Sequence, residues 1–416
     1  MAANLIIQNG RLVAPDETIP SADLLIENGR ISKIAPKISM AGRRDCSRIE
    51  ARGLVVLPGL IDIHTHGGNG SDLMDATPED LAKISAFQAG HGVTTFIPST
   101  ITAPFDETIG LLKNVSPHIG ADLGGAVIAG IHLEGPFLSR EHRGAHPQEY
   151  LLTPRARYLS ALKEFKDIIR TVTIAPEIEG GLRAIREFAS WGVLVSGGHD
   201  MATEKIIDQA IDNGMRHTTH IYCVMSALRK IGSYRNVGLT EYALVDDRLT
   251  TEMIGDNRHI PPLLAKLIFK CKGAKGVCLV SDCIRAAGLP LEGGGSVGPS
   301  RRGKEPEFII RDGISMTPDG SRFAGSITTL DTMIRNMVHD AGIGLNDAVR
   351  MATLTPAEIQ GIDRRKGSLE AGKDGDICII DPDFNVHATI VAGRVVFQAG
   401  DAAAGQPEDK TSKRSR

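Results

Sequence analysis

The hydrophobic pattern changes period twice along the chain. From residue 5 to about residue 56, apolar and polar positions alternate in short runs broken by Asn9-Gly10 and Asn28-Gly29. Alternation at period two predicts strands, and Asn-Gly pairs accept the positive φ of hairpin turns. The same texture returns at 376–380 and 389–397, with Gly393 marking another turn. Two β-rich ends around a different middle predict one small β-sandwich domain built from both termini, residues 1–57 with 369–402.

The middle alternates between the two periods. Strand-like apolar runs fall at 59–66, 93–100, 126–134, 171–176, 193–199, 217–222, 250–256 and 276–282, and helix-period segments lie between most of them. Thr77-Pro78 and Thr153-Pro154 each offer an N-cap followed by a proline suited to the first helical position, and Asp80 completes a Thr-x-x-Asp box. Over 202–215, Ile206 with Ala210 and Ile207 with Ile211 share one face, and Gly214 stands where a helix should end. Eight such units predict a (β/α)8 TIM-like barrel over 58–368, whose functional residues gather at the C-terminal ends of its strands. A doubly wound sheet lacks its mark, a Gly-x-Gly-x-x-Gly after a strand.

Charge and cysteine content narrow the function classes. The 47 basic and 50 acidic residues nearly balance at −3, which gives a nucleic acid or a membrane surface no electrostatic purchase. The basic end, Lys410 to Arg416, belongs to a stretch at 403–416 expected to be a flexible tail. Six cysteines without a Cys-x-x-Cys pair read as small core residues in a reducing compartment. No signal-type segment and no apolar run of 18 residues is present, so a soluble cytoplasmic protein is expected.

Chemistry enters at the strand ends. Alternation sends His64 and His66 out of one face of the first barrel strand, a ready clip for a metal ion. Glu134 ends the third strand, His199 the fifth, His220 the sixth and Asp282 the eighth. Each has an ordinary structural reading: Glu134 bonding backbone N–H groups, His217 or His220 as a satisfied core imidazole, Asp282 as a helix cap. Six such residues converging on one mouth outweigh those readings. Four imidazoles and two carboxylates without thiolate suit zinc, with iron, manganese and cobalt left open by the ligand set. A divalent metal lowers the pKa of its water toward about 7, and Asp282 is placed to act first as base and then as acid in amide or related C–N hydrolysis. Cys223 and Cys283 lie near the site in sequence but belong to no Cys/His nucleophile arrangement.

With these residues in hand, the chain resembles the amidohydrolase superfamily and, within it, the N-acetylglucosamine-6-phosphate deacetylases. The resemblance rests on residues 58–67, Gly92-Val93-Thr94-Thr95, His132-Leu133-Glu134-Gly135-Pro136-Phe137, Ser196-Gly197-Gly198-His199, Thr219-His220-Ile221-Tyr222, Ser281-Asp282, Ala324-Gly325-Ser326, residues 351–357, and the returns at 367–369 and 371–376. His-Leu-Glu-Gly-Pro is its most specific part. The resemblance implies that Glu134, His199 and His220 bind the main metal and that Asp282 is the catalytic acid/base. With His64 and His66 present, it also implies a second ion bridged by Glu134. It further implies that His146 meets the amide end of the substrate, that His259 contacts substrate, and that Arg235 reaches the phosphate across a homodimer interface. The typical deacetylase reads aromatic-Asn-Ala-Met after the sixth-strand histidine. Here the stretch is Tyr222-Cys223-Val224-Met225, so Cys223 and Val224 replace polar substrate contacts, and a longer loop follows over 226–236. The expected activity is removal of acetyl from an N-acetyl amino sugar phosphate. The alternatives are another N-acyl or cyclic amide substrate on the same barrel, and a noncatalytic scaffold.

Overall fold

Eight parallel strands, each ending in or near a polar residue, form the centre of the molecule: β1 (Leu60–Thr65), β2 (Val93–Pro98), β3 (Ile131–Glu134), β4 (Ile169–Ile174), β5 (Leu194–Gly197), β6 (Met215–Thr218), β7 (Thr250–Met253) and β8 (Val277–Leu279). The computed structural model describes residues 4–43, 45–290, 295–297 and 308–400; the tail predicted at 403–416 lies outside them. β1 pairs with β2, and β3 through β8 pair in order. A parallel bridge between Ser99 and His132 joins β2 to β3. The Asp282 N–H donates to the His64 carbonyl at 2.9 Å, which brings the end of β8 back to β1 and closes the barrel. All eight predicted strands are present, one of them broken. The run at 126–134 is interrupted at Gly130 (φ 151°), where a Cβ would lie 2.0 Å from the Arg170 side chain. The strands are apolar on both faces because helices cover the outside, as parallel sheets require.

Helix boundaries follow local chemistry. Thr77 caps the helix Pro78–Gly90, its hydroxyl accepting from the Asp80 N–H at 3.1 Å. Thr153-Pro154 does not act in this way. Its helix is Ala156–Lys163 with Arg155 at the cap position, and the Pro154 carbonyl instead accepts from Arg183 at 2.7 Å. Glu204–Asp212 buries Ile207, Ala210 and Ile211, and Gly214 (φ 113°) follows it.

Both chain ends contribute to one sheet. Its order runs from Arg394–Gln398 through Val386–Val391, Ile377–Ile380, Val55–Pro58, Asn4–Val13 and Thr18–Glu27 to Arg30–Ala35, with Cys46–Glu50 added on Asn4–Val13. Asn28-Gly29 makes the predicted turn, but Asn9-Gly10 does not. Asn9 (φ 60°) lies at an irregularity inside a continuous strand, its N–H held by Asp23 at 3.0 Å, and Gly10 is needed because a Cβ would come within 2.5 Å of Val56. No helix among the described residues is long and apolar enough to cross a membrane.

One element has no counterpart in the predicted pattern. After β8 the chain leaves the barrel through a small antiparallel sheet, Gly295–Val297, Phe308–Arg311 and Ile314–Met316, before the helix Leu330–His339. Asp312-Gly313, both at positive φ, turns its last hairpin.

The passage from sheet to barrel gives a pair of tests with opposite sign. A Cβ on Gly59, between Val55–Pro58 and β1, would lie 2.2 Å from Thr94 Oγ1 and 2.8 Å from Thr94 Cβ. Gly59→Ala should therefore destabilise by about 1–3 kcal/mol through overpacking. Gly110, inside the helix Phe105–Val115, has open space around its Cβ position, and Gly110→Ala should stabilise by about 0.5–1 kcal/mol. Denaturant titration of both variants checks the signs.

Candidate active site

The strand ends bring four imidazoles around one carboxylate, and the loop after β3 adds a fifth, His146. Glu134, at the end of β3, is buried; its Oε1 lies 3.0 Å from His199 Nε2 and 3.0 Å from His220 Nε2. Its Oε2 lies 3.3 Å from His66 Nε2, 3.4 Å from His146 Nε2 and 3.6 Å from His64 Nε2. Asp282 faces the first strand, with Oδ1 3.1 Å from His66 Nε2 and 3.5 Å from His64 Nε2. Of the residues expected at the metal and the acid/base, all six are therefore brought together.

The far side of each ring decides what its near side can do. His66 Nδ1 lies 3.1 Å from the Ser99 carbonyl, His199 Nδ1 2.9 Å from the His142 carbonyl, and His64 Nδ1 2.8 Å from Glu252 Oε2. A carbonyl or carboxylate accepts, so Nδ1 carries a proton in each, and whenever such a ring is neutral its lone pair is on the Nε2 that faces the site. His146 is the reverse case. Its Nδ1 accepts the Thr102 backbone N–H at 3.1 Å, so Nε2 carries the hydrogen and donates. His146 thus belongs to the cluster by distance but is held as a hydrogen-bond donor.

This arrangement fits a cation. Burial lowers the His199 pKa to about 4, so the ring is neutral and its lone pair faces a carboxylate oxygen at 3.0 Å. Two lone pairs at that distance repel unless positive charge lies between them. Burial also disfavours charge on His66, yet Asp282 and Glu134 outweigh it and raise its pKa to about 10; the same carboxylates and Glu252 hold His64 well above its ordinary value. The carboxylates themselves are pulled down, against burial, with His64 the leading cause in each. Protons supply the balancing charge here, and a divalent ion binding through the same nitrogens would displace them. Two overlapping groups, His64–His66–Glu134 and Glu134–His146–His199, have ligand atoms close enough to share an ion. The tautomer of His146 removes it from the second, where His220 is the better member.

Glu252 is the functional residue that sequence reading passed over. It sits on β7, fully buried, and its Oε2 accepts from His64 Nδ1 and from the His220 backbone N–H at 3.1 Å. Its Oε1 lies 3.4 Å from His217 Nε2. A lone glutamate inside the strand Thr250–Met253 was the available signal. Asp282 has a comparable brace: Ser326 N–H donates to its carbonyl at 2.7 Å, and a Cβ on Gly325 would lie 2.9 Å from that oxygen.

The cluster opens into a cavity of about 500 Å³, large enough for a small polar metabolite. His146, Cys223, Val224 and His259 line it, as do Phe308, Met316, Arg322 and Phe323 from the unpredicted excursion after β8. His259 is fixed by Asp256 at 2.7 Å and packs against the Phe323 ring at 4.5 Å between centroids. Burial pushes the Cys223 thiol pKa up, which disarms it as a nucleophile and agrees with its reading as a packing residue. Arg235 is not brought to this cavity within the chain. The stretch 226–236 carries a hairpin, Arg229–Ile231 with Tyr234–Asn236, and Arg235 is exposed on it.

Glu252→Ala should lower stability by about 2–5 kcal/mol, because it strands two buried donors and removes the partner of a buried charge. Urea unfolding measures this; a change below about 0.5 kcal/mol, typical of surface sites, would mean that Glu252 does not hold the first-strand histidine.

Residues 55–396 match the amidohydrolase family model. Over 376 residues the chain is 34% identical to an N-acetylglucosamine-6-phosphate deacetylase of Vibrio furnissii, covering 90% of each chain. It is 31% identical to an N-acetylgalactosamine-6-phosphate deacetylase of Escherichia coli O157:H7 over 94% of this chain and 98% of that one. The crystal structure of N-acetylglucosamine-6-phosphate deacetylase from Pasteurella multocida superposes with a TM-score of 0.84 at 27% identity, covering 94% of this chain and 99% of that one. The barrel, the histidine–carboxylate cluster at its mouth and these matches along nearly the full length agree: the chain belongs to the amidohydrolase family.

Proposed function

We propose that this protein is a metal-dependent deacetylase that hydrolyses the N-acetyl group of an amino sugar phosphate, N-acetylglucosamine 6-phosphate in the first place, to glucosamine 6-phosphate and acetate. The observation that carries the reading is the lone-pair face of His199 set against Glu134, with Asp282 across from it on the same cavity. A scaffold would have no use for that arrangement. The deacetylase relatives supply the substrate class.

In this reading Glu134, His199 and His220 would hold one divalent ion, and His64 and His66, together with Glu134, would hold a second; zinc suits the donor set. Bound there, such an ion would supply Lewis-acid chemistry toward a carbonyl and water. The remaining work belongs to the chain. Asp282 takes the proton of the attacking water and returns it to the departing amine. His146, locked as an Nε2–H donor by Thr102, holds the amide oxygen end of the substrate. Cys223 and Val224 pack against the sugar, and His259 with Arg235 of a second subunit faces its phosphate. An exposed hairpin carrying Tyr234 and Arg235 supports a homodimer, and six unpaired cysteines support a reducing, cytoplasmic setting. The β-sandwich unit expected over 1–57 with 369–402, described at 4–43, 45–57 and 369–400, sits on the barrel of 58–368; the apolar cluster that joins Leu5, Leu24 and Ile31 to Ile377 and Ile390 supports it. A second reading, another N-acyl substrate on the same barrel, is favoured by one observation: the apolar Cys223-Val224 wall.

Acetate release from phosphorylated and unphosphorylated N-acetylglucosamine and N-acetylgalactosamine decides between them. Sugar phosphates should be preferred, and a faster unphosphorylated N-acyl compound would replace the first reading with the second. Asp282→Asn should keep the cavity's shape while turnover falls by at least about 100-fold; near wild-type turnover would make Asp282 structural. His220→Ala should nearly abolish activity and lower bound metal, whereas His64→Ala should chiefly reduce the content of a second ion. Elemental analysis beside rate measurement separates the two, and identical losses would show that the sites are not distinct.

A further inference from the structure

The cavity carries a positive charge that the mechanism above leaves unused. Two arginines border it, Arg285 and Arg322. Arg285 is committed: its Nη2 donates to the Gly70 carbonyl at 2.9 Å and lies 3.4 Å from Asp75 Oδ2. Arg322 has no carboxylate within ion-pair distance among the described residues, and its guanidinium makes one hydrogen bond there, from Nη1 to the Gly144 carbonyl at 3.3 Å. Arg143 donates to that same carbonyl at 3.4 Å and to the His146 carbonyl at 2.9 Å. Two guanidinium groups sharing one neutral acceptor repel each other and keep several N–H donors unmatched. The nearby Asp319 is close enough to feel the charge of Arg322, but the hydrogen bonds to its carboxylate come from Thr317 and Ser321, not from the guanidinium.

The position is as telling as the charge. Gly144 forms the wall beside the metal cluster, where an added Cβ would lie 3.2 Å from His199 Cε1 and 3.7 Å from Val224 Cγ1. Phe323, the residue after Arg322, packs on His259. Arg322 thus stands at the cavity between the ring of His259 and the wall that carries Val224. Arg322 and Arg235 are both exposed, but Arg322 lines the cavity, whereas Arg235 lies away from it on a hairpin paired with Lys230.

We propose that Arg322, which lines the cavity, is this chain's own anchor for the anionic group of its substrate. This rests on the functional reading above, in which that group is the phosphate of an N-acetyl amino sugar phosphate. It gives the site a cation from within the same chain, carried by the excursion after β8. It also offsets the polar contacts absent from Cys223 and Val224, because a planar guanidinium can bind two phosphate oxygens at once.

The test compares kcat/KM for N-acetylglucosamine 6-phosphate and N-acetylglucosamine in wild type, Arg322→Ala, Arg322→Lys and Arg235→Ala. Arg322→Ala should reduce the preference for the phosphorylated sugar by roughly 10- to 100-fold, the range of a lost charged hydrogen bond, and Arg322→Lys should restore part of it. Equal losses on both sugars, or a preference that collapses in Arg235→Ala and survives in Arg322→Ala, would overturn the assignment while leaving the deacetylase reading intact. A wild type with no preference for the phosphorylated sugar would overturn the phosphate reading itself, and the Arg322 anchor with it.

Discussion

The buried carboxylate of Glu134 is the constraint on which the site depends. An isolated carboxylate in a barrel mouth would be neutralised by protonation, because burial raises its pKa. Here five imidazoles surround it and the balance runs the other way, so the charge persists. The persistence of that charge makes the mouth cation-seeking. It also means that no member of the cluster can be understood alone: for His64, His66, His146 and His199, the tautomer follows from which nitrogen faces Glu134 and what stands behind the other.

Backbone geometry supports the same point from another direction. His199, His220 and Asp282 all take positive φ, at 49°, 26° and 48°, where non-glycine residues are strained by about 1–3 kcal/mol each. All three stand just beyond the ends of their strands, where the chain must turn sharply to aim a side chain at the axis. The barrel fixes them through its parallel ladder and through bonds such as Thr219 N–H to the Gly197 carbonyl and Asp282 N–H to the His64 carbonyl, both 2.9 Å. A rigid scaffold and strained strand ends are thus one design: the packing of the first sustains the cost of the second.

Much of this was legible in the sequence, for physical reasons that also mark where it was not. Strand ends are fixed by apolar runs, so His64, His66, Glu134, His199, His220 and Asp282 could be placed at one mouth from spacing. Glu252 escaped because it lies within its strand rather than at the end, where a single polar residue carries no periodic signal. Asn9-Gly10 misled because positive φ serves a bulge as well as a turn, and only the close approach of Val56 shows which. Thr153-Pro154 misled because a capping pair also suits a loop that ends two residues before its helix. The sheet after β8 escaped because its strands are short and weakly alternating, although Asp312-Gly313 marked its turn.

That last omission has functional weight. The six residues legible from the sequence are those whose place is set by the barrel, and they define chemistry common to the fold. The cavity wall above them comes from segments whose placement depends on tertiary contact: Gly144 against His199, Phe323 on His259, and Tyr222 and Val224 at positive φ. Substrate choice is a difference between affinities and so depends on these wall contacts rather than on the cluster that all substrates share. A site can therefore keep its reaction while its specificity drifts, as long as changes fall in the loops and the excursion after β8. Cys223-Val224 and Arg322 lie in that region, one lacking polar contact and the other carrying charge.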